Sequence, residues 1–322
     1  MINTKILGTG SYVPKRTLTN NDLKAFVDTN DDWIYTRTGI KERHMVTDEH
    51  TLDLAYEASL RAIEAANIDK SEIDMIVVAT VTSDFAFPST ANLLQAKLEI
   101  EGVTAFDINA ACSGFLYAIQ IADKMIKSGG FKKILIVGAE TLTRLTDWRD
   151  RNTCVLFGDG AGAMIIGESN KNNIKDIVTG SQGDTDMLLY CKNPELKDPA
   201  VNAISKQDHI HMKGREVFKF ATRIMPKTVN ELLTRNNLKI DDLSCIVAHQ
   251  ANMRIIDKSA RDLEVDMSKM YSNIDKYGNT SAASVPIAID EAIKSNFLKE
   301  GDLFITVAFG GGLTWGGALI EL

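Results

Sequence analysis

Proline is scarce, six in 322 residues, and no stretch rich in Pro, Gly or Ser interrupts the chain. That excludes a string of modules on flexible linkers, and with 44% hydrophobic residues it leaves compact globular structure throughout. No apolar run approaches the roughly 20 residues that span a bilayer. The opening MINTKILGTGSYVP also lacks the apolar stretch of a signal peptide, so a cytoplasmic address is expected. Cations are outnumbered, 36 Lys and Arg against 43 Asp and Glu, and the net charge of -7 speaks against general affinity for nucleic acid or anionic membrane. An anionic partner must find a local basic patch. Cysteine is rare too: the four, at 112, 154, 191 and 245, form no CxxC pair and no His/Cys cluster spaced for zinc, so no metal is expected. A reducing compartment leaves them as thiols.

What is present is an internal repeat. KILGTGS at 5–11 aligns with KDIVTGS at 175–181, the apolar run 75–78 with 245–248, and 134–139 with 304–309, all at an offset of 170. Asn109-Ala-Ala-Cys-Ser-Gly stands at the same offset from Asn279-Thr-Ser-Ala-Ala-Ser, each running from a turn into a small-residue helix. The chain therefore reads as two duplicated halves, 1–171 and 172–322. The last runs, 163–166 and 318–320, are offset by only about 154, which puts some 16 extra residues, 141–156, in the first half. This insertion carries Arg144, Arg149 and Arg151, and a polar excursion from a duplicated core is a natural place for binding groups. β-runs alternate with helical patterns such as 51–66 and 225–233. The fold class expected is α/β, with two small-residue helices between two sheets in a layered αβαβα arrangement.

Three residues carry candidate chemistry. Cys112 follows the apolar run 103–108 at a strand-to-helix elbow, where the unpaired N–H groups of a first helical turn favour thiolate and lower the thiol pKa. By spacing alone it reads as a small hydrophobe among alanines, the reading kept for Cys154, Cys191 and Cys245. His249 ends the run 246–248, where ligand-binding groups of α/β sheets collect, although a satisfied polar residue fits there as well. Asn279, in YGNTS, serves as a turn and N-cap residue. Its correspondence with Asn109 would turn it toward the same pocket as Cys112. The glycine-rich FGGGLTWGG at 309–317 follows a buried run and has neither GxxxxGK[ST] nor GxGxxG, so an oxyanion hole shared with the Cys112 N–H fits it best.

Taken together, these segments resemble the β-ketoacyl-acyl-carrier-protein synthase III family, the initiating condensing enzymes of type II fatty-acid synthesis in the thiolase superfamily. The motifs span the chain in the family's order: DDWIYTRTGIKER at 31–43, NAACSGF at 109–115, FGDGAGA at 157–163, HQANMRI at 249–255, YGNTSAAS at 277–284 and FGGGLTWGG at 309–317. The resemblance implies a thiolase-like fold and a Cys112, His249, Asn279 triad. Thiolases need a second, C-terminal cysteine, and none follows Cys245. The implied reaction loads an acyl group from a coenzyme A thioester onto Cys112. Malonyl-acyl-carrier protein then loses CO2 and its thioenolate attacks the acyl-enzyme, giving a 3-oxoacyl-carrier protein. No cofactor is implied beyond the coenzyme A substrate.

The resemblance further implies an oxyanion hole from the N–H groups of Cys112 and Gly311. It implies coenzyme A contacts from Trp33, Arg37, Arg151, Phe218 and Asn252, and an acyl pocket involving Phe87, Leu142, Phe157 and Leu189, with Phe87 reaching across a homodimer. For the acidic carrier protein, Arg254, Lys258 and Arg261 fall at i, i+4 and i+7 if the segment after His249 is helical, a cationic face beside the site unless Asp257, Asp262 and Glu264 pair with it. Two other readings separate experimentally. A cysteine acyltransferase that passes its acyl group to an amine or alcohol would give no 3-oxoacyl product with malonyl-carrier protein, and a thiol-sensing paralogue would show no protection of Cys112 by acyl-CoA.

Overall fold

A computed structural model describes residues 2–194, 196–198, 203–205 and 208–322. Two five-stranded sheets organise them. The first contains β1 (Asn3–Tyr12), β2 (Met75–Ala79), β3 (Thr104–Ile108), β4 (Lys133–Thr141) and β5 (Asp159–Ser169), in the order β1-β5-β4-β2-β3. The second contains β6 (Ile174–Ser181), β7 (Cys245–Ala248), β8 (Met270–Tyr271), β9 (Leu303–Gly310) and β10 (Thr314–Glu321), in the order β6-β10-β9-β7-β8. The order is the same, and so is the pairing: the outer two pairs, β1 with β5 and β6 with β10, and the next, β5 with β4 and β10 with β9, are antiparallel. The rest are parallel.

The central strands read as unbroken apolar runs because both faces are covered. On β2, Met75 and Val77 face a core shared with the second sheet, while Ile76 and Val78 face the outer helix. The shared core is filled by α3 (Gly114–Lys127) and α6 (Ser284–Lys294) through Phe115, Ile119, Val285 and Ile289. Outside the first sheet lies α2 (Thr51–Ala66), and outside the second lie α4 (Gly214–Arg235) and α5 (Met253–Asp262). The layers run helix, sheet, helix, sheet, helix. Helix α4 starts well before the apolar pattern at 225–233, because Val217, Phe220, Ala221 and Ile224 extend its buried face through the first turns. Helix α2 packs with its backbone almost on β1: a Cβ on Gly8 would come 2.3 Å from the Ala66 nitrogen, so a side chain there would force the layers apart.

The sheets differ in the connection between their last two strands, residues 142–158 in the first and 311–313 in the second. The long connection is fastened from below. Arg43, fully buried, donates to the carbonyls of Leu18 and Val155 and to Asn20 Oδ1. Asp159 accepts from the Val46 and Thr143 N–H groups at 2.8 and 2.9 Å, and burial raises its carboxyl to about 6. No helix among the described residues is long and apolar enough to cross a membrane.

Candidate active site

Two turns meet between the sheets. Each begins with an asparagine whose Oδ1 accepts the N–H two residues on: Asn109 from Ala111 at 3.2 Å, Asn279 from Ser281 at 2.9 Å. Each accepting turn places that second residue at positive φ, 46° for Ala111 and 50° for Ser281, and then makes a single 3-10 turn before α3 or α6 begins. Small residues are required because the turns lie on strand backbone. A Cβ on Gly310 would come 2.6 Å from the Cys112 nitrogen, and one on Gly138 would come 2.3 Å from the Ala282 carbonyl oxygen.

A cavity of about 440 Å³ opens onto these turns. Cys112, His249 and Asn279 lie in its wall with Phe309 and Gly310, all of them buried, and the four side chains have a relative exposure of 7% or less. Farther out the wall is Phe157, Leu189 and Phe218, and at the mouth stand Trp33, Arg37, Arg151, Asn252 and Arg254. Trp33 sits in α1 (Asp31–Thr38), whose N-cap Asn30 accepts the Trp33 N–H. Its ring carries two guanidinium groups, Arg37 at 4.5 Å and Arg151 at 4.6 Å from the centroid. Of the three insertion arginines Arg151 alone lines the cavity, since Arg144 pairs with Asp84 and Arg149 with Asp147.

The electrostatics follow from burial. His249 donates its backbone N–H to the Val307 carbonyl, packs its ring edge-on against Phe309, and brings Nδ1 to 2.5 Å from the Ser284 hydroxyl. Ser284 Oγ also accepts the Gln250 N–H at 3.4 Å; with the serine hydrogen given to Nδ1, the single N–H of the neutral ring lies on Nε2. Burial lowers the His249 pKa to about 3, so the ring is a neutral donor. The expectation that the helix terminus lowers the Cys112 pKa is corrected: burial pushes the thiol up to about 12, only partly opposed by the neighbouring Ser281 hydroxyl. Desolvation of thiolate outweighs the short 3-10 turn that stands before α3.

Other expected residues lie elsewhere. Leu142 is buried beneath the cavity in the cluster holding Phe157 and does not reach its wall. Phe87 is 85% exposed on the surface, away from this chain's own cavity. Gly310 lines the cavity beside the Cys112 nitrogen, and Gly311 follows it against Leu189 and Ala111, the residue before Cys112. The segment after His249 is helical, but Lys258 is paired with Asp262 and Arg261 with Asp257. Arg254 instead lies over Phe218, 5.9 Å from its ring centroid. Sequence reasoning missed Ser284, although it stands in the YGNTSAAS segment, and Glu140, which looked like the end of an apolar strand.

Family models for 3-oxoacyl-[acyl-carrier-protein] synthase III match residues 106–183, and for its C-terminal region residues 233–322. The chain is 48% identical over 327 residues to the β-ketoacyl-[acyl-carrier-protein] synthase III of Xanthomonas campestris, covering 99% of this chain and 98% of that one. It is 46% identical to the protein of the same name from Clostridium tetani, with 98% of each covered. Among solved structures, 3-oxoacyl-[acyl-carrier-protein] synthase III from Aquifex aeolicus superposes with a TM-score of 0.93 at 48% identity, over 99% of this chain and all of that one. The priming β-ketosynthase of the R1128 polyketide pathway superposes at 0.92 with 34% identity, over 99% and 96%. Near-complete coverage at this identity, on a fold whose two turns present cysteine, histidine and asparagine to one cavity, leaves a single assignment: the chain belongs to the 3-oxoacyl-[acyl-carrier-protein] synthase III family of condensing acyltransferases.

Proposed function

We propose that the chain joins an acyl-CoA primer to malonyl-acyl-carrier protein, initiating type II fatty-acid synthesis, with Cys112 as the acyl carrier and His249 and Asn279 as the decarboxylation pair. The observation that carries this reading is the convergence of all three on one cavity whose mouth bears an arginine-flanked tryptophan. Cys112 Sγ attacks the thioester carbon, the oxyanion draws on the N–H groups of Cys112 and of the 310–311 turn, and coenzyme A thiol leaves. The adenine of coenzyme A takes a place on the Trp33 ring that one guanidinium now occupies, and Arg37 and Arg151 turn to its phosphates. Phe218 and Asn252 flank the pantetheine arm, and Phe157 and Leu189 bound the acyl chain with Leu142 behind them.

In the second half-reaction the malonyl carbon–carbon bond breaks, CO2 leaves, and the thioenolate carbon attacks the acyl carbonyl with release of the Cys112 thiolate. Negative charge grows on the malonyl thioester oxygen as CO2 departs. A neutral His249 with its hydrogen on Nε2 and the Asn279 amide N–H stabilise that charge without transferring a proton, so no metal or bound cofactor is needed. We also infer two halves at 1–171 and 172–322, a cytoplasmic soluble protein, and a homodimer in which the exposed Phe87 closes the partner's acyl pocket. Intact-mass spectrometry tests the core of this reading. Acyl-CoA should add one acyl group at Cys112, and malonyl-carrier protein should discharge it as a 3-oxoacyl product; acylation at any other residue would reject it. A panel of acetyl, straight-chain and branched acyl-CoA substrates identifies the primer.

A further inference from the structure

Acylation of Cys112 releases a proton, and the groups usually given that task are unsuited here. Burial holds the thiol protonated, and His249 faces the cavity with a nitrogen that already carries hydrogen. A third group stands behind the thiol. Glu140, at the end of β4, is completely buried. Its Oε2 accepts from the Thr82 hydroxyl at 2.7 Å, the Val81 N–H at 3.1 Å and the Thr80 hydroxyl at 3.4 Å. Its Oε1 is buried with no hydrogen bond of ordinary geometry, although the Ser281 hydroxyl and Ala282 N–H lie near enough to favour its ionised form.

The Ser281 hydroxyl also lies near enough to the Cys112 thiol to favour its ionised form, so it neighbours both sulfur and carboxylate. The positive φ of Ser281, held by Asn279 Oδ1, directs the turn that makes this possible. A buried carboxylate with one uncommitted oxygen is costly to fold around, so its place beside the nucleophile calls for a reason.

We propose that Glu140 accepts the Cys112 proton during acylation, through the hydroxyl of Ser281. As Sγ bonds to the acyl carbon, its hydrogen passes to Ser281 Oγ while the Ser281 hydrogen passes to Glu140 Oε1. The tetrahedral intermediate then collapses, the bond to the coenzyme A sulfur breaks, and the proton passes from Glu140 to Ser281 Oγ as the Ser281 hydrogen passes to the departing coenzyme A thiolate. Carboxylate and serine end as they began. Burial sets Glu140 at about 7, so it is part ionised near neutrality. The titratable group facing it is Cys112; Thr80, Thr82 and Ser281 contribute hydroxyls only. Asp159, on the neighbouring strand, turns its carboxylate to Val46 and Thr143 instead.

The inference rests on Cys112 as nucleophile, and rapid-quench mass spectrometry of acyl loading separates the two. For the wild type, the loading rate should rise with pH through an inflection near 7 as Glu140 ionises. Glu140→Gln should lower the plateau about 100-fold and remove the inflection, and Glu140→Asp should restore part of both. Ser281→Ala should fall comparably, and the double variant no further than either alone. Loading at the wild-type rate and pH profile in Glu140→Gln overturns the proposal. Should that variant fail to fold by circular dichroism, the same profile in Ser281→Ala overturns it. A wild-type protein that takes no acyl group on Cys112 rejects the nucleophile assignment, and the proton path with it.

Discussion

The turn at 109–113 and the turn at 279–283 have the same backbone and opposite chemistry. Both hold an Asx hydrogen bond, a residue at positive φ and a 3-10 turn leading into a buried helix. The side chains differ at each equivalent place. Asn109 is exposed while Asn279 is buried at the cavity, and Cys112 of the first turn corresponds, 170 residues on, to Ala282 of the second. The strand end facing each turn differs in the same sense: Gly310 gives the Cys112 nitrogen room, and its counterpart Glu140 fills the space behind Ser281. The backbone therefore supplies two similar platforms, and on the proposed reading the side chain each presents to the cavity, cysteine or asparagine, sets which one attacks and which one stabilises charge.

That division is tested most sharply at His249, which joins the second turn through Ser284. His249→Ala should cut condensation about 10²- to 10³-fold, the usual cost of losing an oxyanion donor. Loading of Cys112 from acyl-CoA should survive. Since the imidazole is held neutral down to about 3, lowering the pH does not switch it off. Decarboxylation of a malonyl thioester should accordingly stay flat from about pH 8 to about pH 5, with any acid limb lying near the low pKa. Equal loss of loading and condensation in His249→Ala would show that the two turns do not divide the reaction, and a limb near 6.5 would show a charging histidine.

The two asparagines provide a paired measurement of smaller effect. Asn109→Ala and Asn279→Ala each remove one side-chain hydrogen bond to a turn N–H, which should lower stability by about 1 kcal/mol in urea unfolding. Only Asn279→Ala should also lose condensation, by about 100-fold. Similar stability losses with unequal activity losses would show one backbone device in two roles. A collapse of activity in Asn109→Ala would mean that the exposed asparagine positions the nucleophile more tightly than its exposure suggests.

Much of this was legible because the strands are covered on both faces. The runs at 75–78, 134–139, 245–248 and 304–309 carry no polar alternation, and each lies within a strand of the observed sheets. Cys112, His249 and Asn279 were legible because each ends a strand or opens a helix beside small residues. What stayed hidden depends on depth and on long-range partners. Nothing local told that the thiol would be buried enough to reach about 12, nor that Glu140 would meet Thr82 and Ser281, two residues far from it and from each other in sequence. Leu142 and Phe157 are both apolar and both buried, and only packing decides that Phe157 alone reaches the cavity wall.

The cavity mouth extends the comparison to its weakest and last test. On one side Trp33 lies between Arg37 and Arg151; on the other Phe218 lies beneath Arg254. The first side suits a stacked nucleotide with its phosphates, and the second offers a single cation to an acidic protein surface. Of the three cations on α5, Lys258 and Arg261 are held by carboxylates on their own helix, and Arg254 has no carboxylate partner among the described residues. Arg254 should therefore dominate docking. Arg254→Glu should raise the KM for malonyl-carrier protein about five-fold, the scale of one exposed ion pair near 1 kcal/mol, and Lys258→Glu should do less. Raising salt should shrink the difference, because exposed charges are screened beyond roughly 10 Å at 0.1 M ionic strength. Malonyl-CoA, which brings no protein partner, should show little change. An equal rise in KM for both malonyl donors would place Arg254 on the shared pantetheine path, and the two sides of the mouth would then serve one ligand rather than two.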